Sequence, residues 1–292
     1  MTDRQIILVM SGAAHLPYLT CALWTLKDHW RGETVVHAWP ESIDIARRIG
    51  ADEQLNVAAV REREPRYRRR DGVRGNAQFL DKQIVAQESD ADVVLYLDAD
   101  VTVHGDLAPV FDAAERHGFA ATQFCDWITT GQRIGGRIKD LRGFPEIDQT
   151  LVDDVLSYPW PSVNGGVWAA RPESPVLPLW YEWTYAARSL FIADEKVLHI
   201  LQPKFIPQRQ MTTVCEAGRF NCSVMYQSGL LLDDDVVVRH FHGDSGVRPQ
   251  KSRRGYDLWW PVYQECLKEN VGGMQEWIGQ IKNKHMRRLL KI

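Results

Sequence analysis

The stretch Asp92–Asp100, DVVLYLDAD, runs an apolar segment straight into two aspartates separated by one alanine. Residues 93–97 show no polar alternation. Such a run reads as a strand buried on both faces, the kind found in parallel sheets covered by helices. Its abrupt end places Asp98 and Asp100 where the strand meets solvent. Residues at i and i+2 of a strand share a face. Two carboxylates that close repel, and each raises the other's pKa unless a cation lies between them. A hard divalent ion takes oxygen ligands and can bridge phosphate oxygens too. A solvated strand end explains the same pair without an ion, and the stretch alone leaves both readings open.

The flanking sequence supplies the context. QIILVM (Gln5–Met10) reads as a buried parallel strand, and TVVHAW (Thr34–Trp39) as a second. Between them Leu16, Leu19, Leu23 and Leu26 recur at helical spacing. SIDIARRIG predicts a short helix with Ser42 as N-cap and Gly50 as stop. EQLNVAAV (Glu53–Val60) is a candidate third strand, and a helix is predicted over Asn76–Ser89. Strand and helix thus alternate through the first hundred residues, which argues for an α/β fold, a single Rossmann-like sheet with helices on both faces. Ligands of such sheets bind beyond the carboxyl ends of the strands. The SGAAH turn (Ser11–His15) and Asp98/Asp100 both fall there.

The second half is less regular. A strand is predicted at Gly118–Phe124, and a strand with a tight Asn-Gly-Gly turn in PSVNGGVWAARP. Helices are predicted at Val176–Leu190 and Glu195–Leu201. A strand ends in the two histidines of VRHFHGD, and terminal helices follow in GYDLWWPVYQECLKE and MQEWIGQIKNKHMRRLLKI. Gly131, Gly135, Gly136 and Gly143 mark a candidate flap. The expected organisation is one domain over residues 1–270 with a basic amphipathic helix at 271–292.

Composition narrows the function classes. The net charge of −3 over 292 residues excludes a surface-wide nucleic-acid footprint. The five cysteines are odd in number and form no CxxC pair, so a disulfide framework or zinc knuckle is not expected; reduced, mostly buried thiols of a cytoplasmic protein are. The N-terminal apolar run is too short for a signal peptide or a membrane span. Two basic segments stand out. Arg61–Gly75 carries seven arginines against three acids, readable as a solvated loop or as a cover for an anionic ligand. The C-terminal helix interleaves Lys282, Lys284, Arg287, Arg288 and Lys291 with apolar residues, readable as packed on the domain or as peripheral to an anionic membrane.

A third ligand for a cation at Asp98 and Asp100 is offered by His240 or His242. Two aspartates with one imidazole suit Mn²⁺ better than Mg²⁺.

In this order the segments resemble nucleotide-sugar glycosyltransferases of the A-type fold, and more narrowly family eight, which includes glycogenin and bacterial lipooligosaccharide galactosyltransferases. VVLYLDADVTVHGDL is similar to the family's Asp-x-Asp segment. Lys82 matches a basic residue that contacts the donor. SVNGGVWAARP resembles the Asn-(Ser/Ala)-Gly turn, with Asn164 and Gly166 in its fixed positions. ADEKVLHI resembles the Asp-Gln pair at a helix start, and VRHFHGDSGVRP the His-Phe-x-Gly-x-x-Lys-Pro segment. The likeness covers about residues 5–265.

The resemblance implies a metal-dependent transfer of a sugar from a nucleotide diphosphate donor, a UDP-sugar first, to a hydroxyl acceptor with retention of configuration. It implies Mn²⁺ or Mg²⁺ held by Asp98, Asp100 and His240. It implies donor contacts from Ser11, His15, Lys82, Asp98, Asn164, Gly166 and Arg248, and catalytic roles for Glu195 and Asp194. The acceptor would be a glycan, a lipid-linked saccharide or a protein hydroxyl, with a DNA base as the minority case.

Three departures matter. The turn after the first strand is SGAAH rather than Asp-rich, the segment from His240 to Arg248 is two residues longer, and Glu195 replaces the family's glutamine. A glutamate can attack as a nucleophile or orient an acceptor hydroxyl where a glutamine cannot be a carboxylate nucleophile. It also suits a helix N-terminus for dipole reasons alone. Two competing functions use related chemistry. A sugar-nucleotide pyrophosphorylase needs a Gly-rich phosphate loop with a basic residue, which SGAAHLPYL lacks. A non-catalytic glycan- or sugar-nucleotide-binding relative would have no need of intact Asp98, Asp100 and His240.

Overall fold

A computed structural model describes residues 2–65, 78–127, 137–216, 218–225, 235–249, 251–282 and 284–290. The strands are β1 (Arg4–Met10), β2 (Glu33–Ala38), β3 (Ala59–Glu62), β4 (Val93–Leu97), β5 (Val101–Val103), β6 (Phe119–Trp127), β7 (Pro161–Ala170), β8 (Thr212–Val214), β9 (Cys222–Ser223) and β10 (Val238–His240). The α-helices used below are α1 (Leu16–Leu26), α2 (Ile43–Gly50), α3 (Gln78–Gln87), α4 (Ala108–His117), α5 (Gln149–Ser157), α6 (Val176–Ala186), α7 (Ala193–Phe205), α8 (Asp244–Val247) and α9 (Arg253–Lys268). The architecture is α/β with a seven-stranded mixed main sheet flanked by helices.

The chain divides into two compact units. The first comprises Met1–Arg4, Pro65–Tyr96 and Ala108–Phe220. Its strands run in the order β4-β7-β6-β8, with β6 antiparallel to β7 and parallel to β8. Every residue of β4 is buried, as its unbroken apolar run requires. Trp168 of β7 stacks on Tyr96 and Phe119 at 5.2 and 5.5 Å and meets Trp180 of α6 edge-on at 5.3 Å. Each such pair contributes about 0.5–1.5 kcal/mol beyond its buried area.

The second unit comprises Gln5–Glu64, Leu97–Leu107 and Asn221–Ile292. Its strands β3-β2-β1 are all parallel. A small sheet, β5-β10-β9, pairs β10 antiparallel to β5 and parallel to β9. Helix α1 is apolar nearly all round and is buried along its length, as such a helix must be. The hydroxyl of its Thr25 accepts the Val103 amide at 3.0 Å, tying β5 to the helix.

Several sequence expectations shift. The third strand lies at Ala59–Glu62, not across Glu53–Val60. Its last two residues are the exposed Arg61 and Glu62, which an edge strand tolerates because only one of its sides is paired. The remainder of the arginine-rich segment, from residue 66 to residue 75, lies outside the described residues, as do Gly131, Gly135 and Gly136 of the candidate flap. The flap's remaining glycine, Gly143, ends a 3₁₀ turn at Asp140–Gly143, and α5 follows, capped by Asp148 accepting the Thr150 amide.

The Asn-Gly-Gly turn is instead a bulge inside one continuous strand. Two steps along β6 (Ala121 to Gln123) face five along β7 (Trp168 to Val163). The extra residues leave the ladder, and small glycines make this possible.

The expected C-terminal helix is a correction as well. It is broken into a turn at Met274–Trp277, a 3₁₀ turn at Ile278–Gln280 and a helix at Lys284–Leu290. The break follows from Gly279 and from the extended Ile281, and from apolar residues that are buried rather than displayed. Met274, Trp277, Ile278, Ile281, Met286 and Leu290 are all buried. Gly272 lies against Ile49 of α2, and its amide donates to Asp52. Arg48 pairs with Glu276. No helix among the described residues is long and apolar enough to cross a membrane. Cys21, Cys222 and Cys266 are buried free thiols, while Cys215 is exposed.

Candidate functional site

β4 ends at Leu97, and residues 98–100, which belong to the second unit, form a turn into β5 rather than a continuation of the strand. The two carboxylates therefore converge by a turn, not by strand alternation. They meet at His240, the last residue of β10. Its Nε2 lies 3.6 Å from Asp98 Oδ2 and 3.5 Å from Asp100 Oδ1. One ligand atom from each of the three falls within 4.8 Å of the others. The imidazole is almost completely buried, whereas the Asp98 and Asp100 side chains keep 22% and 16% of their exposure. The cluster is thus buried on its imidazole side and partly exposed on its carboxylate side.

Local backbone explains how it is held. The Asp100 carbonyl accepts the Phe241 amide at 2.9 Å. After β10 the chain turns through positive φ at His242 (55°) and Gly243 (60°). The turn carries the Gly243 amide onto Asp100 Oδ2. Gly246 must be glycine, because a Cβ there would fall 1.6 Å from the Phe241 carbonyl oxygen.

The electrostatics favour a cation. Burial by itself would raise the Asp100 carboxyl, but His240, His242 and His15 together hold it well below the usual carboxylate range. His242 is pushed down to about 3 by burial and then by His240, so its ring is neutral at physiological pH. The Nε2–carboxylate gaps exceed the roughly 2.7–2.9 Å of a charge-assisted hydrogen bond. Two ligands of one octahedral ion, each at about 2.1 Å, lie about 3 Å apart. Two carboxylates and one imidazole fit a divalent ion such as Mn²⁺.

Of the two histidines named from sequence, His240 joins the three-ligand group. His242 stacks on it at 4.1 Å and directs Nε2 to Ser223 Oγ at 2.9 Å. Ser11 directly follows β1, and His15 closes the 3₁₀ turn Ala13–His15 that leads into α1. Arg248 is the C-cap of α8. Sequence reasoning misses Asn221, whose Oδ1 lies 3.0 Å from His240 Nδ1.

A second cluster lies in the first unit. Lys82 of α3 is 1% exposed; its Nζ donates to Asp194 Oδ2 at 2.6 Å and to the Gly165 carbonyl at 2.9 Å. It also sits over the Tyr96 and Trp180 rings. Asp194 Oδ1 is buried with no hydrogen-bond partner among the described residues. Asn164 Nδ2 donates to Glu195 Oε2 at 3.0 Å, while its Oδ1 accepts the Gly166 amide at 2.7 Å. The bulge in β7 therefore brings Asn164 and Gly165 onto the start of α7.

Burial, and then the neighbouring Asp194, push the Glu195 carboxyl up to about 7; Arg137, Asn164 and Lys82 act against that rise. His199 is held down to about 4 by burial. It locks the same corner, with Nε2 accepting the Val163 amide at 3.1 Å and Nδ1 2.6 Å from the Glu195 carbonyl.

No family model matches the chain, and no curated protein does. Solved structures do. GlyE, a glycosyltransferase of Streptococcus pneumoniae TIGR4, is 15% identical with a TM-score of 0.57, over 93% of this chain and 64% of its own. The galactosyltransferase LgtC, in complex with donor and acceptor sugar analogs, is 17% identical with a TM-score of 0.61, over 95% of this chain and 100% of its own. Mouse xyloside xylosyltransferase 1 is 12% identical with a TM-score of 0.55, over 82% of this chain and 98% of its own. The chain thus spans just under two thirds of GlyE and the full length of LgtC. The shared feature is the glycosyltransferase A-type fold.

Proposed function

We propose that the chain is a divalent-cation-dependent glycosyltransferase. It moves a sugar from a nucleoside diphosphate donor, a UDP-sugar first, to a hydroxyl of a glycan or related acceptor, with retention of configuration. The observation that carries this reading is the convergence of Asp98, Asp100 and His240 within 4.8 Å on an A-type fold. When bound, the cation, Mn²⁺ in preference to Mg²⁺, would stabilise the charge that develops on the leaving diphosphate.

The chain's own groups divide the remaining work. Asp98, Asp100 and His240 hold the ion. Ser11 and His15 line the turn after β1 for the nucleotide, and Arg248 offers a planar fork suited to phosphate oxygens. Lys82, paired with Asp194, supports the sugar side. Asp194 Oδ1, buried and unpartnered among the described residues, is the kind of atom a sugar hydroxyl satisfies. Asn164 and Gly166 fix the Glu195 carboxylate by the hydrogen bonds already given.

A carboxyl raised to about 7 exchanges a proton near neutrality. Transfer with retention breaks the bond between the sugar and the diphosphate and forms one to the acceptor oxygen on the face of the ring that the diphosphate leaves. The acceptor's proton must go to a base, and Glu195 is the candidate.

The test is a donor screen with Mn²⁺ that reads nucleotide release, with and without acceptor sugars. Release by wild type and its loss in Asp100→Asn support the reading. Equal release by both from every donor overturns it.

A further inference from the structure

We propose that Asn221 is a positioning residue for the cation site: it accepts the Nδ1 proton of His240 and so turns that ring's Nε2 lone pair toward Asp98 and Asp100. The inference deepens the cation reading above and rests on it.

The geometry begins with register. Asn221 directly precedes β9, which runs parallel to β10 with Arg239 opposite Cys222 and His240 opposite Ser223. Asn221 and Ser223 stand two residues apart, as do His240 and His242. The pairs match: Asn221 Oδ1 lies 3.0 Å from His240 Nδ1, and Ser223 Oγ lies 2.9 Å from His242 Nε2. Asn221 and Ser223 are both fully buried. The Ser223 oxygen also takes the Met225 amide at 3.3 Å. Asn221 and Ser223 thus each meet one ring nitrogen, and the His240 ring is the one that joins the aspartates.

The choice of tautomer follows from distance. A neutral imidazole carries one ring proton. On Nε2 that proton would face two carboxylate oxygens at 3.5 and 3.6 Å, too far for a good hydrogen bond. On Nδ1 it meets Asn221 Oδ1 at 3.0 Å, an ordinary hydrogen-bond length. Nε2 then presents a lone pair to the same space as the two aspartates, where a cation accepts all three. The other nitrogen of a metal-binding imidazole is commonly held in this way.

The experiment measures Mn²⁺ binding to the full chain, without donor, by calorimetry and by the free-ion electron paramagnetic resonance signal. Wild type, Asp100→Asn, Asn221→Leu and Asn221→Asp are compared. Asn221→Leu is expected to weaken binding about 10- to 100-fold. Asn221→Asp is expected to retain it, because a carboxylate accepts the same proton. Wild-type affinity in Asn221→Leu, alongside loss in Asp100→Asn, overturns the inference and leaves the cation reading standing. Absence of binding in wild type overturns both. If Asn221→Leu does not fold, ¹⁵N-histidine spectra of the ion-free wild type decide, with the His240 signals assigned from His240→Gln. A proton on Nδ1 supports the inference, and a proton on Nε2 overturns it.

Discussion

Lys82 Nζ lies 2.6 Å from Asp194 Oδ2 with both side chains out of solvent, and the missing Cβ of Gly165 is what lets them meet. Removing one partner of a buried pair leaves the other charged and unsolvated. Lys82→Met is expected to cost about 3–5 kcal/mol, while Lys82→Met with Asp194→Leu should recover much of that loss. Urea unfolding of the three proteins measures it. Unchanged stability in Lys82→Met would remove the pair's structural weight.

A methyl group at residue 165 would fall 2.4 Å from Lys82 Nζ and 2.9 Å from Asp194 Oδ2. Gly165→Ala is therefore expected to destabilise the first unit. Gly143→Ala, where a Cβ meets nothing within 4 Å, should be near neutral. Thermal melts of both variants make the comparison.

The Glu195 carboxyl is raised from 4.5 to about 7 by burial and by Asp194. Between those values the folded chain keeps a proton that the unfolded chain has released. Stability from this group is thus present below about 4.5 and falls as pH rises through about 7. Glu195→Gln should flatten that part of the stability–pH curve, read from urea midpoints taken across the window. The same variant is expected to lower turnover by about 10²- to 10⁴-fold if the carboxylate handles the acceptor proton. Nearly full turnover in Glu195→Gln would exclude that role.

His199 acts in the opposite direction. Its ring is held at about 4, below the usual 6.5, by burial. Stability from the neutral ring is complete above 6.5 and is lost as pH falls through about 4. His199→Gln, which keeps hydrogen-bonding capacity without titrating there, should reduce the loss of stability on acidification. Parallel urea series for wild type and variant measure it.

Trp277 is fully buried, and its indole N–H donates to the Gly272 carbonyl at 3.0 Å. Trp277→Ala is expected to cost about 3–5 kcal/mol, as large-to-small changes in a core do. A loss near zero would mean that the C-terminal segment does not pack on the second unit.

What was legible in the sequence was local. The unbroken apolar run of residues 93–97 could only be a buried strand. The i, i+3, i+4 leucines marked α1, and the carboxylates of Asp98 and Asp100 lay where a strand had to stop. Those features follow from side-chain period and burial, which nearby residues determine. Expectations that hinged on partners distant in the chain shifted or went unseen. The third strand moved because the register of β3 on β2 placed Ala59 opposite Val35. The Asn-Gly-Gly segment became a bulge because β6 set its pairing. His240 joins the aspartates as the resemblance implied, but Asn221, which stands 3.0 Å from its ring just before the two-residue strand β9, was pointed to by no local pattern. The sequence by itself determined which elements form and which carboxylates end them. Only the tertiary structure decided which glycine amide meets Asp100 and which lysine meets Asp194. Hydrogen-bond partners more than a hundred residues apart are chosen by strand register and close packing, and neither is written in a local pattern.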